Sequence, residues 1–270
     1  MWWQQVYVCA LFSCLCCITS NQVFNITPLP DEACNRHNSC HTFQQILDSI
    51  PVHLDMSTTL NFLPGNHKIS ASWSLIIQDI TALSMIAVSS NTKINCGNFV
   101  SFSFINISSV HIENLTFYGC GSSSFLATSA FQIQQLNSFV VCSSIFSHFE
   151  GRVIKAQQSN ITINRSVIRH TNSLVELLTA HVSTITITDS NFTSNKARYN
   201  MIYTNNSEIK INRSSFTYNF VEYIGVLKVE LSNLAINDTT IANNTASNWG
   251  ILLIRRSTAC LLYTSDAADE

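Results

Sequence analysis

The sequence predicts an all-β solenoid, a β-helix whose coils of about 22–25 residues stack on one another. Three observations predict it. An eleven-residue pattern recurs: ITINRSVIRHT from Ile161, ITITDSNFTSN from Ile185, IKINRSSFTYN from Ile209 and LAINDTTIANN from Leu234. Each copy opens on apolar–x–apolar, the period of two that turns one face of a strand inward. A single copy is too short to bury that face, so copies must stack, and a fixed period in this range marks repeat architectures. A β-sandwich shares the alternation but has no reason to keep the period.

Residues 1–20, MWWQQVYVCALFSCLCCITS, read as a secretory signal. The apolar run from Val6 to Ile18 is too short to span a bilayer and suits a signal-peptide core; a short membrane anchor is the alternative. Residues 21–57 are expected to form an amino-terminal cap. Within them TFQQILDSI, Thr42 to Ile50, places Phe43, Ile46, Leu47 and Ile50 on one helical face that can cover the first coil. A solenoid needs such covers because an open sheet edge invites pairing.

Residues 58–257 carry the coils. The inward pairs are Val110/Ile112, Phe139/Val141, Ile161/Ile163, Ile185/Ile187, Ile209/Ile211 and Leu234/Ile236. Five residues on stands a second large apolar residue, such as Phe117, Phe146, Ile168, Phe192, Phe216 or Ile241. A third apolar run follows: RVIKA at Arg152, LVELL at Leu174, NMIYT at Asn200, GVLKV at Gly225 and GILLI at Gly250. Each coil is thus expected to hold about three short strands joined by polar turns. GNHK at Gly65 reads as a turn.

Two columns test the register. Asn195, Asn219 and Asn244 stand three residues after the second apolar position, so stacked coils align their amides for hydrogen bonding along the turn. None of the three heads a glycosylation sequon. Arg165, Asp189, Arg213 and Asp238 form an alternating-charge column, read as a solvated structural ladder. The last residues, 258–270, are read as a non-native tail. From Cys260, CLLYTSDAADE resembles the translation of a transposase-type sequencing adapter, and the solenoid is expected to be truncated there.

Of 270 residues only 11% are charged, the net charge is −2 and no basic run occurs. Nucleic acid and anionic membrane surfaces are therefore excluded as expected partners. Ten N-x-S/T sequons lie at Asn25, Asn106, Asn114, Asn160, Asn164, Asn191, Asn205, Asn212, Asn237 and Asn243. They suit a secreted, extracellular chain whose surface is solubilised by glycans rather than charge. In an oxidising compartment Cys34 and Cys40 are close enough for a local disulfide. Cys96, Cys120 and Cys142 are left without assignable partners. His37 and His41 beside the first pair offer a zinc alternative.

Chemistry is sparse. Asp189 and Asp238 both belong to the charge column, and the glutamates share no register, so no catalytic residue and no cofactor is assigned. His148 and His170 each stand two residues after the second apolar position and should stack about 5 Å apart. They are the metal candidates, against the plainer reading of two solvated turn histidines.

At ITITDSNFTSNKA and AINDTTIANNTASNWGIL the chain resembles the right-handed parallel β-helix, pectin-lyase-like superfamily, closest to repeats of the polymorphic outer-membrane-protein type with their F-x-x-N elements. Here those elements are Phe192 to Asn195 and Phe216 to Asn219, with Ile241 in the third place. The upstream CHTFQQILDSI and TTLNFLPGNHKIS are similar to the caps of extracellular β-helix proteins of invertebrate animals. The resemblance spans residues 34–257 and implies a secreted or cell-surface β-helix whose lateral faces suit a polysaccharide, extracellular matrix or cell-surface ligand. It leaves open a polysaccharide-active enzyme with its site in missing coils, and a receptor ectodomain reaching the membrane through a missing carboxy-terminal part.

Overall fold

A computed structural model describes residues 22–27, 40–42, 57–69, 75–78, 80–96, 101–121, 129–248 and 250–262. The signal segment, Cys34, His37, the expected helix from Phe43 onward and the end of the tail lie outside the described residues.

The chain is a parallel β-helix built from β-strands alone among the described residues. One coil shows the logic. Thr184–Thr188, Asn191–Thr193 and Asn200–Asn205 are its three main strands, with the two-residue Lys196–Ala197 between the last two. The chain then returns to Glu208–Asn212, which pairs in parallel with Thr184–Thr188 in register Ile185↔Ile209 and Ile187↔Ile211. Repeated, this gives among the described residues a long sheet of 11 strands, a second and a third sheet of 8 each, and a fourth of 4.

The alternation of the sequence becomes the core. In the long sheet Ile161, Ile163, Ile185, Ile187, Ile209 and Ile211 are all buried. Each such side chain contributes about 1.5–3 kcal/mol on leaving water. The second sheet stacks Phe117 on Phe146 at 5.4 Å and Phe192 on Phe216 at 4.6 Å. Offset ring pairs of this kind add about 0.5–1.5 kcal/mol beyond their buried area. The column extends upstream through Ile94 to His67.

That last residue corrects the turn reading of GNHK. Gly65–Lys68 is a strand of the second sheet, with His67 buried and its Nε2 2.8 Å from Leu63 O. The polar letters misled, because one buried histidine with a carbonyl partner substitutes for an apolar rung. LVELL is likewise corrected: the strand is Leu178–His181, and Leu174 is exposed. Both ends of the long sheet reach past the repeats. Gln22–Thr27 pairs with Ser57–Phe62 and with Cys40–Thr42, and Thr258–Leu262 pairs with Asn233–Asn237. An open edge accepts any extended segment through main-chain bonds alone, so this last pairing is indifferent to the origin of the tail.

Corners set the cross-section. Each coil turns through residues with positive φ, mostly without glycine. Arg165, Asp189, Arg213 and Asp238 (φ 45–50°) form the first corner, between the long and second sheets. His170, Ser194, Tyr218 and Asn243 form the second, and Gln158, Val182, Asn206 and Leu231 the third, between the third and long sheets. Behind every corner the backbone N–H of the next residue runs along the solenoid and misses the sheet ladders. Hydroxyls take it. Ser159, Ser183 and Ser207 N–H donate to Ser183, Ser207 and Ser232 Oγ one coil on, at 3.2, 3.1 and 3.0 Å. Ser144, Ser166 and Ser190 N–H do the same to Ser166, Ser190 and Ser214 Oγ at the first corner, each at 3.2 Å. These serine ladders satisfy buried donors that would each cost about 1–3 kcal/mol if left unpaired.

Between coils, Cys96 and Cys120 form a buried disulfide across a sequence separation of 24. Closing a loop of that length removes denatured-state entropy worth about 3 kcal/mol. Cys142 is a free, half-exposed thiol.

Candidate functional site

The second corner holds the asparagine column. Asn195 and Asn219 are buried and Asn244 half-buried. Asn219 Oδ1 accepts from Asn195 N at 3.0 Å and Nδ2 at 3.1 Å. Asn219 Nδ2 donates to Phe192 O at 2.8 Å and Asn244 Oδ1 at 3.0 Å. Every amide atom is used inside the fold, so this column offers nothing to a ligand.

His148 and His170 occupy the same corner one coil apart, both exposed, with ring centroids 5.5 Å apart and Tyr118 at 4.8 Å on the other side of His148. Their positive φ values, 58° and 51°, mark them as corner residues. No group of three or more His, Cys, Asp or Glu placed to hold a metal occurs among the described residues. Cys40 lies in a described strand, but its expected partner Cys34 is outside the described residues.

The sequons divide by structure. Asn25, Asn106, Asn114, Asn160 and Asn243 are exposed, while Asn164, Asn191, Asn205, Asn212 and Asn237 are half-buried. Four of the half-buried ones owe their hydroxyl to the ladders. Ser166, Ser207, Ser214 and Thr239 each accept a backbone N–H from the preceding coil and donate back to the carbonyl of the sequon asparagine. The repeated N-x-S/T at Asn164, Asn205, Asn212 and Asn237 is therefore a rung of the solenoid whether or not sugar is attached.

The third corner forms an open groove of about 520 Å³ running along the solenoid. Its floor is the ladder Ser159, Ser183, Ser207 and Ser232. One wall is the positive-φ column Gln158, Val182, Asn206 and Leu231. The other is the first residue of successive long-sheet strands: Asn137 just ahead of its strand, then Asn160, Thr184, Glu208 and Asn233. Parallel stacking repeats these walls at about 4.8 Å per coil.

Two wall residues break the local rule. Val182 is 52% exposed with φ 50°, and Leu231 is 50% exposed with φ 49°. Branched side chains are costly in left-handed backbone, where asparagine is well tolerated. Asn106 and Asn206 show the cheaper choice in this very column. Neither the core nor the corner needs an apolar residue there. The sole carboxylate lining the groove, Glu208, pairs with Lys210 Nζ at 2.8 Å. Nothing in the sequence marked this groove, because its walls come from residues one coil apart and its floor from serines that read as turn filler.

On the neighbouring third sheet the polar residues form a separate network. Arg152 and Glu176 pair at 2.7 Å, and Lys228 lies 4.6 Å over the Tyr203 ring. Burial, with Lys155 and Arg152 near, pushes the His181 imidazole below its usual range. Burial foremost pushes the Tyr203 phenol up. Within it Glu230 accepts from Tyr203 Oη at 3.3 Å.

Among solved structures, the chain is similar to pectate lyase Pel9A, with 9% identity over 85% of this chain and 80% of that one and a TM-score of 0.43. It is similar in the same degree to the Escherichia coli protein YbhC, with 10% identity over 87% of this chain and 84% of that one and a TM-score of 0.43. No family model matches the sequence, and no curated protein does.

Proposed function

We propose that the chain is a secreted, N-glycosylated, non-catalytic binding module whose third-corner groove takes an extended neutral polysaccharide of a matrix or cell surface. One observation carries this reading: Val182 and Leu231 hold exposed apolar side chains in strained backbone on the wall of a groove otherwise lined by amides and hydroxyls. Strain maintained where packing does not need it points to use. Sugar rings present the matching chemistry. Their C–H faces pack on the branched apolar side chains, and their hydroxyls pair with the amides of Asn160, Asn206 and Gln158.

A polyanion fits poorly. The lining offers no cation, and its one carboxylate repels acidic groups. Binding rather than cleavage is favoured because that carboxylate is engaged by Lys210 and has no second acid opposite it in the groove. Secretion is supported by the amino-terminal apolar run and the disulfide between Cys96 and Cys120.

Affinity electrophoresis through gels containing xylan, galactomannan, mixed-linkage glucan or polygalacturonate tests the proposal. The protein should be retarded by at least one neutral polymer and not by polygalacturonate. Val182→Asp with Leu231→Asn, which creates no sequon, should abolish the retardation while leaving the fold intact. Migration unchanged in every neutral gel would overturn the reading.

A further inference from the structure

We infer that an N-glycan on Asn160 gates the third-corner groove, an inference that rests on the groove reading above and adds its regulation. Of the ten sequon asparagines only Asn160 lines the groove. Its exposed side chain stands on the long-sheet wall, second in the row after Asn137 and ahead of Thr184, Glu208 and Asn233. A sugar there rises within the groove's length, not at its end.

The amide is also held. Asn160 Nδ2 donates to Asn137 O at 3.0 Å. Glycosylation replaces one of the two Nδ2 hydrogens and leaves the other as a donor in reach of Asn137 O. The first sugar then departs from an amide tied to the wall, and the bulky glycan cannot swing freely away from the groove.

The sequon is not a by-product of the fold. At Asn164, Asn205, Asn212 and Asn237 the sequon hydroxyl is a rung of a serine ladder. Thr162 has no such duty. It lies in the long sheet between Val140 and Thr186, half-exposed on the face turned away from the core. The glycosylated chain therefore presents a covered groove and the unmodified chain an open one.

The test uses the full chain secreted from a glycosylating host, with occupancy at Asn160 read by peptide mass spectrometry. Thr162→Val removes the sequon while leaving Asn160 and the groove walls in place. Asn25→Gln, which removes a sequon outside the groove, serves as the control. Affinity for the retarding neutral polymer among xylan, galactomannan and mixed-linkage glucan is measured for each. The expected result is an occupied Asn160, about tenfold tighter binding for Thr162→Val, a gain in the same direction when an endoglycosidase trims the unaltered chain to a single N-acetylglucosamine, and no gain for Asn25→Gln. Equal binding by the occupied and unoccupied forms overturns the gate and leaves the groove reading standing, as does an unmodified Asn160. Absence of binding by every form overturns the groove reading itself and the gate with it.

Discussion

Replacing Asn219 by alanine should be among the most damaging single changes outside the apolar core. Its side chain is 1% exposed and makes four hydrogen bonds. Truncation strands Phe192 O and Asn195 N inside the second corner and removes one of the two bonds of Asn195 Nδ2, which keeps Ile168 O. A buried group left unpaired costs about 1–3 kcal/mol. Two such groups and one half-satisfied donor, with some relaxation between coils, give a loss of about 3–5 kcal/mol. For a chain of this size that lowers the melting temperature by about 10 °C or more. Asn244→Ala, at the half-buried end of the column, should cost less, and Asn233→Ala, exposed on the groove wall, should stay within about 0.5 kcal/mol. Urea unfolding followed by far-ultraviolet circular dichroism reads all three. If Asn219→Ala unfolds at the same urea concentration as Asn233→Ala, the amide column holds no part of the structure and the reasoning fails.

Three further outcomes follow from the geometry. A Cβ on Gly225 would lie 2.5 Å from Gly250 O and 3.0 Å from Ile251 O, both main chain, so Gly225→Ala should cost about 1–3 kcal/mol by the same urea assay. Val182→Asp should raise the melting temperature, since aspartate relieves about 1 kcal/mol of left-handed backbone strain without creating a sequon, and should weaken polymer binding. Burial holds the His67 imidazole below its ordinary pKa. The unfolded chain therefore binds that proton more readily. The stability His67 contributes is full above about pH 6.5 and is lost as pH falls toward its depressed folded value. His67→Gln should flatten that limb of a stability-versus-pH curve.

The solenoid was legible because its signal is local and periodic. The pairs Ile161/Ile163 and Ile185/Ile187 state a strand and its inward face within three letters, and recurrence states the stacking. The spacing of Asn195, Asn219 and Asn244 likewise placed their amides in one column. The serine ladders were equally periodic, as Ser166, Ser190 and Ser214, yet a serine after a strand reads as turn filler. His67 was lost for the opposite reason, a single polar residue inside a column that is otherwise apolar. The groove could not be read at all. Its walls depend on which side each corner residue faces, and Val182 and Leu231 adopt a backbone that their own chemistry disfavours. No local preference announces a conformation imposed by the coils above and below.

The most direct test of the account is amide hydrogen exchange of the Thr162→Val chain, whose groove carries no glycan, with and without the neutral polysaccharide that retards it. Polymer-dependent protection should fall on residues 158–160, 182–184, 206–208 and 231–233, one short stretch per coil at the third corner. Protection confined to another face, or none at saturating polymer, would contradict it.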